Sequence, residues 1–135
     1  MMGKFCAIAH GVKFMANCNH QMDGFSTYPF LTFSKDWRDA YNPKFPNKGD
    51  IVVIGNDVWL GHNALMMPGV KISDGAIIDR GSVVTNDVTP YCVVAGNPAR
   101  LLKRRFFDDA IKQLLQISWR DWQTEKITKS IKAIV

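Results

Sequence analysis

The apolar positions of this chain recur every six residues. From Ile54 the sequence divides into IGNDVW, LGHNAL, MMPGVK, ISDGAI, IDRGSV and VTNDVT, and the N-terminal stretch divides in the same frame into MGKFCA, IAHGVK and FMANCN. The opening residues Met2, Ile8, Phe14, Ile54, Leu60, Met66, Ile72, Ile78 and Val84 are all apolar. The fifth position of the later hexads is small or β-branched: Val58, Ala64, Val70, Ala76, Ser82 and Val88. Such a period matches neither the turn of a helix nor the alternation of an isolated strand. Gly and Asn-Asp pairs within the hexads supply tight bends, so each hexad reads as a short strand followed by a corner. Three sides then make one triangular coil, and stacked coils, ~4.8 Å apart, pair each backbone with its neighbours above and below. The predicted fold is all-β, a parallel β-helix with coils at 1–19 and 54–89. A set of buried βαβ strands is the rival pattern, but no amphipathic helical segment lies between the strands.

Between Asn19 and Ile54 the frame fails. The 34 residues from 20 to 53 are not a multiple of six, so this segment leaves the coil as an excursion loop. Its aromatic and proline content (YPFLTF, DW, AYNPKFP) predicts order against another surface. After Phe106 the pattern changes again. Ile111, Leu114, Leu115 and Ile117 recur at helical spacing behind Asp108 and Asp109, which predicts a helical cap over 107–135 that covers the open end of the coils. Trp119 and Trp122 are expected in the packing of that cap.

Composition narrows the class. The chain has 135 residues, 47% apolar and 21% charged, the make-up of one soluble globular domain. No apolar run approaches the ~20 residues of a membrane span, and MMGKFCAIAHG lacks the core of a signal peptide, so a cytoplasmic location without membrane association is expected. Three cysteines, Cys6, Cys18 and Cys92, without CxxC spacing, argue against a disulfide framework and a zinc knuckle. The net charge of +5 concentrates in ARLLKRR and the C-terminal tail. That pattern suits either a solvated helix face or an anionic ligand, and a phosphate-bearing cofactor fits as well as nucleic acid does.

The hexads, the loop HQMDGFSTYPF from His20 to Phe30, IGNDVWLG from Ile54 to Gly61, the turn MPGVKI and the tail AGNPARLLKRRF together resemble the hexapeptide-repeat xenobiotic acetyltransferases. That family includes streptogramin A acetyltransferases and type B chloramphenicol acetyltransferases. The resemblance implies a left-handed coil and a homotrimer with active sites between subunits. It also implies acetyl-CoA as co-substrate, a small hydroxylated acceptor, no metal and no nucleic acid. His20 takes the place of the loop histidine that acts as general base. A neutral imidazole accepts the acceptor's hydroxyl proton as the alcohol attacks the thioester, without a covalent enzyme intermediate. Asp23 or backbone carbonyls orient that ring, and Asp23 and Tyr28 are expected near the acceptor. By the same resemblance Trp59 is a wall of the thioester site and the amide of His62 is the oxyanion donor. CoA contacts fall on Arg80, Thr85, Arg100 and Lys103, the last two suited to phosphates. Arg80 stands where IGAGS-like hexads carry a small residue; its guanidinium either pairs with the cofactor or crowds it. Family members carry coils before the position of Met2, and those coils supply part of the acceptor pocket.

The side chains of His10 and His62, at the third position of their hexads, read as outward surface groups. A gamma-type carbonic anhydrase, a zinc enzyme on the same solenoid, needs three histidines together, and the spacing of His10 and His20 gives no reason to expect that. A trimeric scaffold without activity is the non-enzymatic alternative. The aromatic loop is expected to pack on an adjacent subunit and carry His20 over that subunit's groove.

Overall fold

The computed structural model describes residues 1–16, 24–40 and 51–135. Eight strands of two residues each follow the hexads: β1 (Ala7–Ile8), β2 (Lys13–Phe14), β3 (Val53–Ile54), β4 (Trp59–Leu60), β5 (Leu65–Met66), β6 (Lys71–Ile72), β7 (Ile77–Ile78) and β8 (Val83–Val84). Two longer strands, β9 (Cys92–Gly96) and β10 (Ala99–Arg104), complete the set. The chain visits three sheets in rotation, ordered β1-β4-β7-β9-β10, β2-β5-β8 and β3-β6. Every pairing among β1 to β9 is parallel. From β3 to β8 the partners are eighteen residues apart, as in Leu60↔Ile78 and Met66↔Val84.

The hexad frame is the frame of the core. Opening residues pair with opening residues, Met2↔Ile54, Ile8↔Leu60, Phe14↔Met66 and Ile54↔Ile72. Ile54, Leu60, Met66, Ile72, Ile78 and Val84 are buried, and so are the fifth-position residues Val58, Ala64, Val70, Ala76, Ser82 and Val88. A small fifth residue lets the corner fold inward without filling the space the openers occupy. The Ser82 hydroxyl, buried among them, accepts the Gly96 N–H at 3.3 Å. Met2, Ile8 and Phe14 are 44–48% exposed; among the described residues their coil pairs with the one that opens at Ile54.

The coils run beyond the expected limit at residue 89. Ile78 pairs with Val94 at a spacing of sixteen rather than eighteen, and β10 then turns back antiparallel on β9. Gly96 (φ +102) and a cis Asn97–Pro98 bond form the turn. The basic stretch ARLLKRR is therefore an edge strand and not a helix face, since this turn returns it onto the sheet before a helix begins.

The loop residues described form two short helices, α1 (Phe30–Phe33) and α2 (Lys35–Ala40). Tyr28, Phe30, Phe33 and Trp37 stack on one another, with ring centres 4.8–5.7 Å apart, and all four remain exposed in the single chain.

The C-terminal segment is helical as expected, with α3 (Asp108–Ile117), a single 3-10 turn over Trp119–Asp121 and α4 (Thr124–Ile134). It does not sit as an end cap: its bonds to the coils run along one corner. Arg105 donates to the Gly75 carbonyl at 2.8 Å and lies 3.6 Å from the Asp57 carboxylate. Arg120 lies 3.3 Å from Asp74, Trp119 packs on Phe5, and Lys4 pairs with Asp121. The corner is itself laced across coils. The Asp74 carboxylate accepts the Asn56 backbone N–H at 2.8 Å, and the Asn56 side-chain Oδ1 accepts the Lys4 backbone N–H at 2.9 Å. Carboxylates at a corner give the two arginines partners that an apolar coil end lacks.

Burial raises the pKa of Asp57, and the Arg105 guanidinium offsets part of that rise. A carboxyl whose folded pKa exceeds its unfolded value binds its proton more tightly when folded. Its contribution therefore favours folding at acid pH and is lost as pH rises through the folded value. The stability of Asp57→Asn relative to the native chain is expected to be greater at pH 7 than at pH 3. Urea unfolding at the two pH values checks the sign; a difference that shrinks toward pH 7 would overturn it.

Candidate active site

Of the expected site residues, three gather on the corner that follows β1, β4 and β7. Trp59 lies on β4 and is 52% exposed, while its neighbour Leu60 is fully buried. Gly61 and His62 follow at once. The Gly61 N–H donates to the Ile78 carbonyl at 2.8 Å and the Asn63 N–H to the His10 carbonyl at 3.1 Å, so the backbone on both sides of His62 is pinned to adjacent coils. Gly61 is buried, and the space a side chain would take there is filled by the backbone of Ile78, Asp79 and Arg80. Among the described residues the His62 N–H has no acceptor, which leaves a fixed, unpaired donor beside an exposed tryptophan. Arg80 stands eighteen residues on, at the same corner of the next coil. Its N–H donates to the Asp79 carboxylate at 2.8 Å, and its side chain is exposed.

A second group lies where the coils meet the hairpin. A hollow of about 310 Å³ is lined by Val84, Val88, Cys92 and Val94 on its apolar side and by Asn86, Asp87, Thr89 and Arg100 among its polar groups. Thr85, whose hydroxyl accepts from the Asn86 amide at 3.2 Å, is flanked by two of the lining residues. Lys103 lies on β10 with Arg100, beyond a register shift between Leu101 and Lys103.

Charge pairing separates the basic residues into two sets. Arg104 is paired with Asp108, Arg105 with Asp57, and Arg120 with Asp74. Arg80, Arg100 and Lys103 have no ion-pair partner among the described residues. An unpaired guanidinium or ammonium on the surface keeps its full capacity for a phosphate. Arg80, Arg100 and Lys103 are thus among several unpaired surface cations, and KRR is split between unpaired Lys103 and two arginines tied into the fold.

Tyr28 belongs to the aromatic cluster of the loop and lies against Phe30 and Phe33. His20 and Asp23 lie outside the described residues. His10 is what sequence reasoning passed over: its ring stacks on that of His62, centres 5.8 Å apart. The signal was present, because both histidines hold the third position of their hexads and equal positions stack.

Residues 51–86 match the family described as bacterial transferase hexapeptide (six repeats). A probable macrolide acetyltransferase of Lysinibacillus sphaericus is 48% identical over 99% of this chain and 76% of its own length. A chloramphenicol acetyltransferase of Klebsiella aerogenes is 42% identical over 94% of this chain and 61% of its own length. The chain thus spans from about three fifths to three quarters of these two relatives. Among solved structures, a galactoside acetyltransferase in complex with coenzyme A superposes with a TM-score of 0.53, at 29% identity, over 79% of this chain and 50% of the other.

Proposed function

The chain belongs to the hexapeptide-repeat xenobiotic acetyltransferase family, and on that premise we propose that it transfers acetyl from acetyl-CoA to a hydroxyl of an antibiotic or related xenobiotic. The observation that carries this reading is the Trp59–His62 corner, a rigid backbone turn with a free N–H next to an exposed indole and in line with unpaired cations. The coil is read as left-handed and the working unit as a homotrimer, its active sites between subunits.

An acceptor hydroxyl attacks the thioester carbonyl carbon while the His20 imidazole takes the hydroxyl proton. The oxygen that gains charge accepts a hydrogen bond from the His62 N–H, a donor already fixed before the charge develops. The tetrahedral centre collapses with cleavage of the C–S bond, and the proton held by His20 passes to the departing sulfur. The products are the acetyl ester and CoA. Trp59 walls the thioester, Asp23 and Tyr28 border the acceptor, and Arg80, Thr85, Arg100 and Lys103 hold the cofactor. No covalent acetyl-enzyme forms.

Arg100 and Lys103 act on binding and not on the chemical step. Replacing both with alanine is expected to weaken CoA binding by about 10²–10⁴-fold, on the order of two charge-assisted hydrogen bonds of ~1.5–3 kcal/mol each. Replacing Lys112, which pairs with Asp109 on an exposed helix face, leaves CoA affinity unchanged. Calorimetric titration of CoA into the three proteins decides between a phosphate site at β10 and general attraction to a basic chain. Equal losses in all variants, or none, would sink the assignment.

A further inference from the structure

The corner of the candidate site carries a pair of imidazoles whose side chains acetyl transfer does not use. His10 and His62 are stacked, ring centres 5.8 Å apart and planes inclined by 23°. The Ile8↔Leu60 pairing and the Asn63 N–H bond to the His10 carbonyl fix their backbones on neighbouring coils. Both side chains are exposed, and among the described residues neither imidazole makes a hydrogen bond or ion pair.

We propose that His10 and His62 form a two-imidazole chelate for a borderline divalent transition-metal ion, copper(II), nickel(II) or zinc(II), with water completing its coordination. A ring nitrogen ~2.0–2.1 Å from a metal ion puts two coordinating rings roughly 5–6 Å apart, centre to centre. The two rings are stacked in the unliganded chain, and rotation of the two exposed side chains would turn a nitrogen of each toward a shared point. Neighbouring strands hold the two ligands at a spacing of ~4.8 Å, so little freedom is lost when the ion binds. Imidazole selects copper, nickel and zinc over magnesium or calcium, with copper the tightest of the divalent series.

The charged groups of this corner are Arg80, one coil further on, and Asp79, whose carboxylate accepts the Arg80 N–H. Arg80 opposes a bound cation, so its removal strengthens the site. No third histidine, cysteine or carboxylate joins the pair among the described residues. The site is therefore open and exchangeable, unlike a closed four-ligand structural centre. This inference rests on the His10–His62 geometry and not on acetyl transfer, and its failure leaves that reading untouched.

The test is calorimetric titration of copper(II), nickel(II) and magnesium chlorides into the native chain and into His10→Ala, His62→Ala and Arg80→Ala, with circular dichroism to verify that each is folded. The native chain is expected to take up one equivalent of copper more tightly than nickel and to ignore magnesium. Each histidine variant loses at least about tenfold in copper affinity, and Arg80→Ala gains. Affinity unchanged in both histidine variants, weaker binding in Arg80→Ala, or no copper binding by the native chain would overturn the proposal.

Discussion

Replacing His20 with alanine is expected to lower the rate of acetyl transfer by about 10²–10⁴-fold, the contribution of a positioned general base, while CoA binds as before. The two quantities separate because the base meets the acceptor proton only as the C–O bond forms. An interaction made in the transition state alone lowers kcat and kcat/KM together. A group that merely shaped the cofactor groove would raise KM for acetyl-CoA instead. In the sequence His20 stands where the hexad frame breaks, ahead of Tyr28, Phe30, Phe33 and Trp37, which lie exposed in the single chain. Its proposed role is to reach the Trp59–His62 corner of an adjacent subunit. Single-turnover measurement with saturating acetyl-CoA checks the rate, and CoA titration checks the binding. Unchanged turnover in His20→Ala would move the base elsewhere; lost CoA affinity would make His20 a structural residue of the groove.

Gly61→Ala is expected to cost about 3 kcal/mol of stability, the upper end for overpacking a tight interior, and to abolish transfer in whatever fraction still folds. A Cβ at Gly61 would stand 2.6 Å from the Arg80 nitrogen, 2.7 Å from the Ile78 oxygen and 2.8 Å from the Asp79 carbonyl carbon. All three are backbone atoms of the next coil, so no side chain can rotate away and the two coils must part. That displacement acts on the Gly61–Ile78 hydrogen bond and on the amide of His62 next to it. Gly81 makes the control. It lies at the same corner one coil later, has open space around it, and has φ +67. Gly81→Ala meets only the strain of a left-handed backbone, about 1 kcal/mol. Urea unfolding of both variants measures the contrast. Equal costs would show that the close approach of coils at Gly61 is not what the glycine serves.

The repeat was legible because its cause is local. An apolar residue at every hexad opening and a small one at the fifth position are the inward-facing residues of a coil, and those positions are the buried ones from Ile54 to Val88. The elements that the hexads do not write were harder to read. Nothing in ARLLKRR distinguishes Lys103, left free, from Arg104 and Arg105, paired with Asp108 and Asp57, since those partners are set by the turn at Gly96–Pro98. The same holds for Arg120 and Asp74, 46 positions apart in sequence. They explain why the C-terminal helices follow a corner rather than cover an end. Helices α1 and α2 were unreadable for a different reason: four and six residues are too few for a periodic signal. The site residues Trp59, His62, Arg80, Thr85, Arg100 and Lys103 came from resemblance to a family. The stacking of His10 on His62 followed from the frame alone, had equal hexad positions been compared.

The central claim is that this chain moves an acetyl group from CoA to an acceptor hydroxyl. Its most direct test is incubation of the purified chain with acetyl-CoA and, separately, a macrolide, chloramphenicol and a streptogramin A, following free thiol release and the mass of each acceptor. The expected result is saturable, enzyme-dependent thiol release matched one for one by a single acetyl added to at least one acceptor hydroxyl. Thiol release without an acetylated acceptor, or no measurable binding of CoA and no product with any of the three, would contradict it.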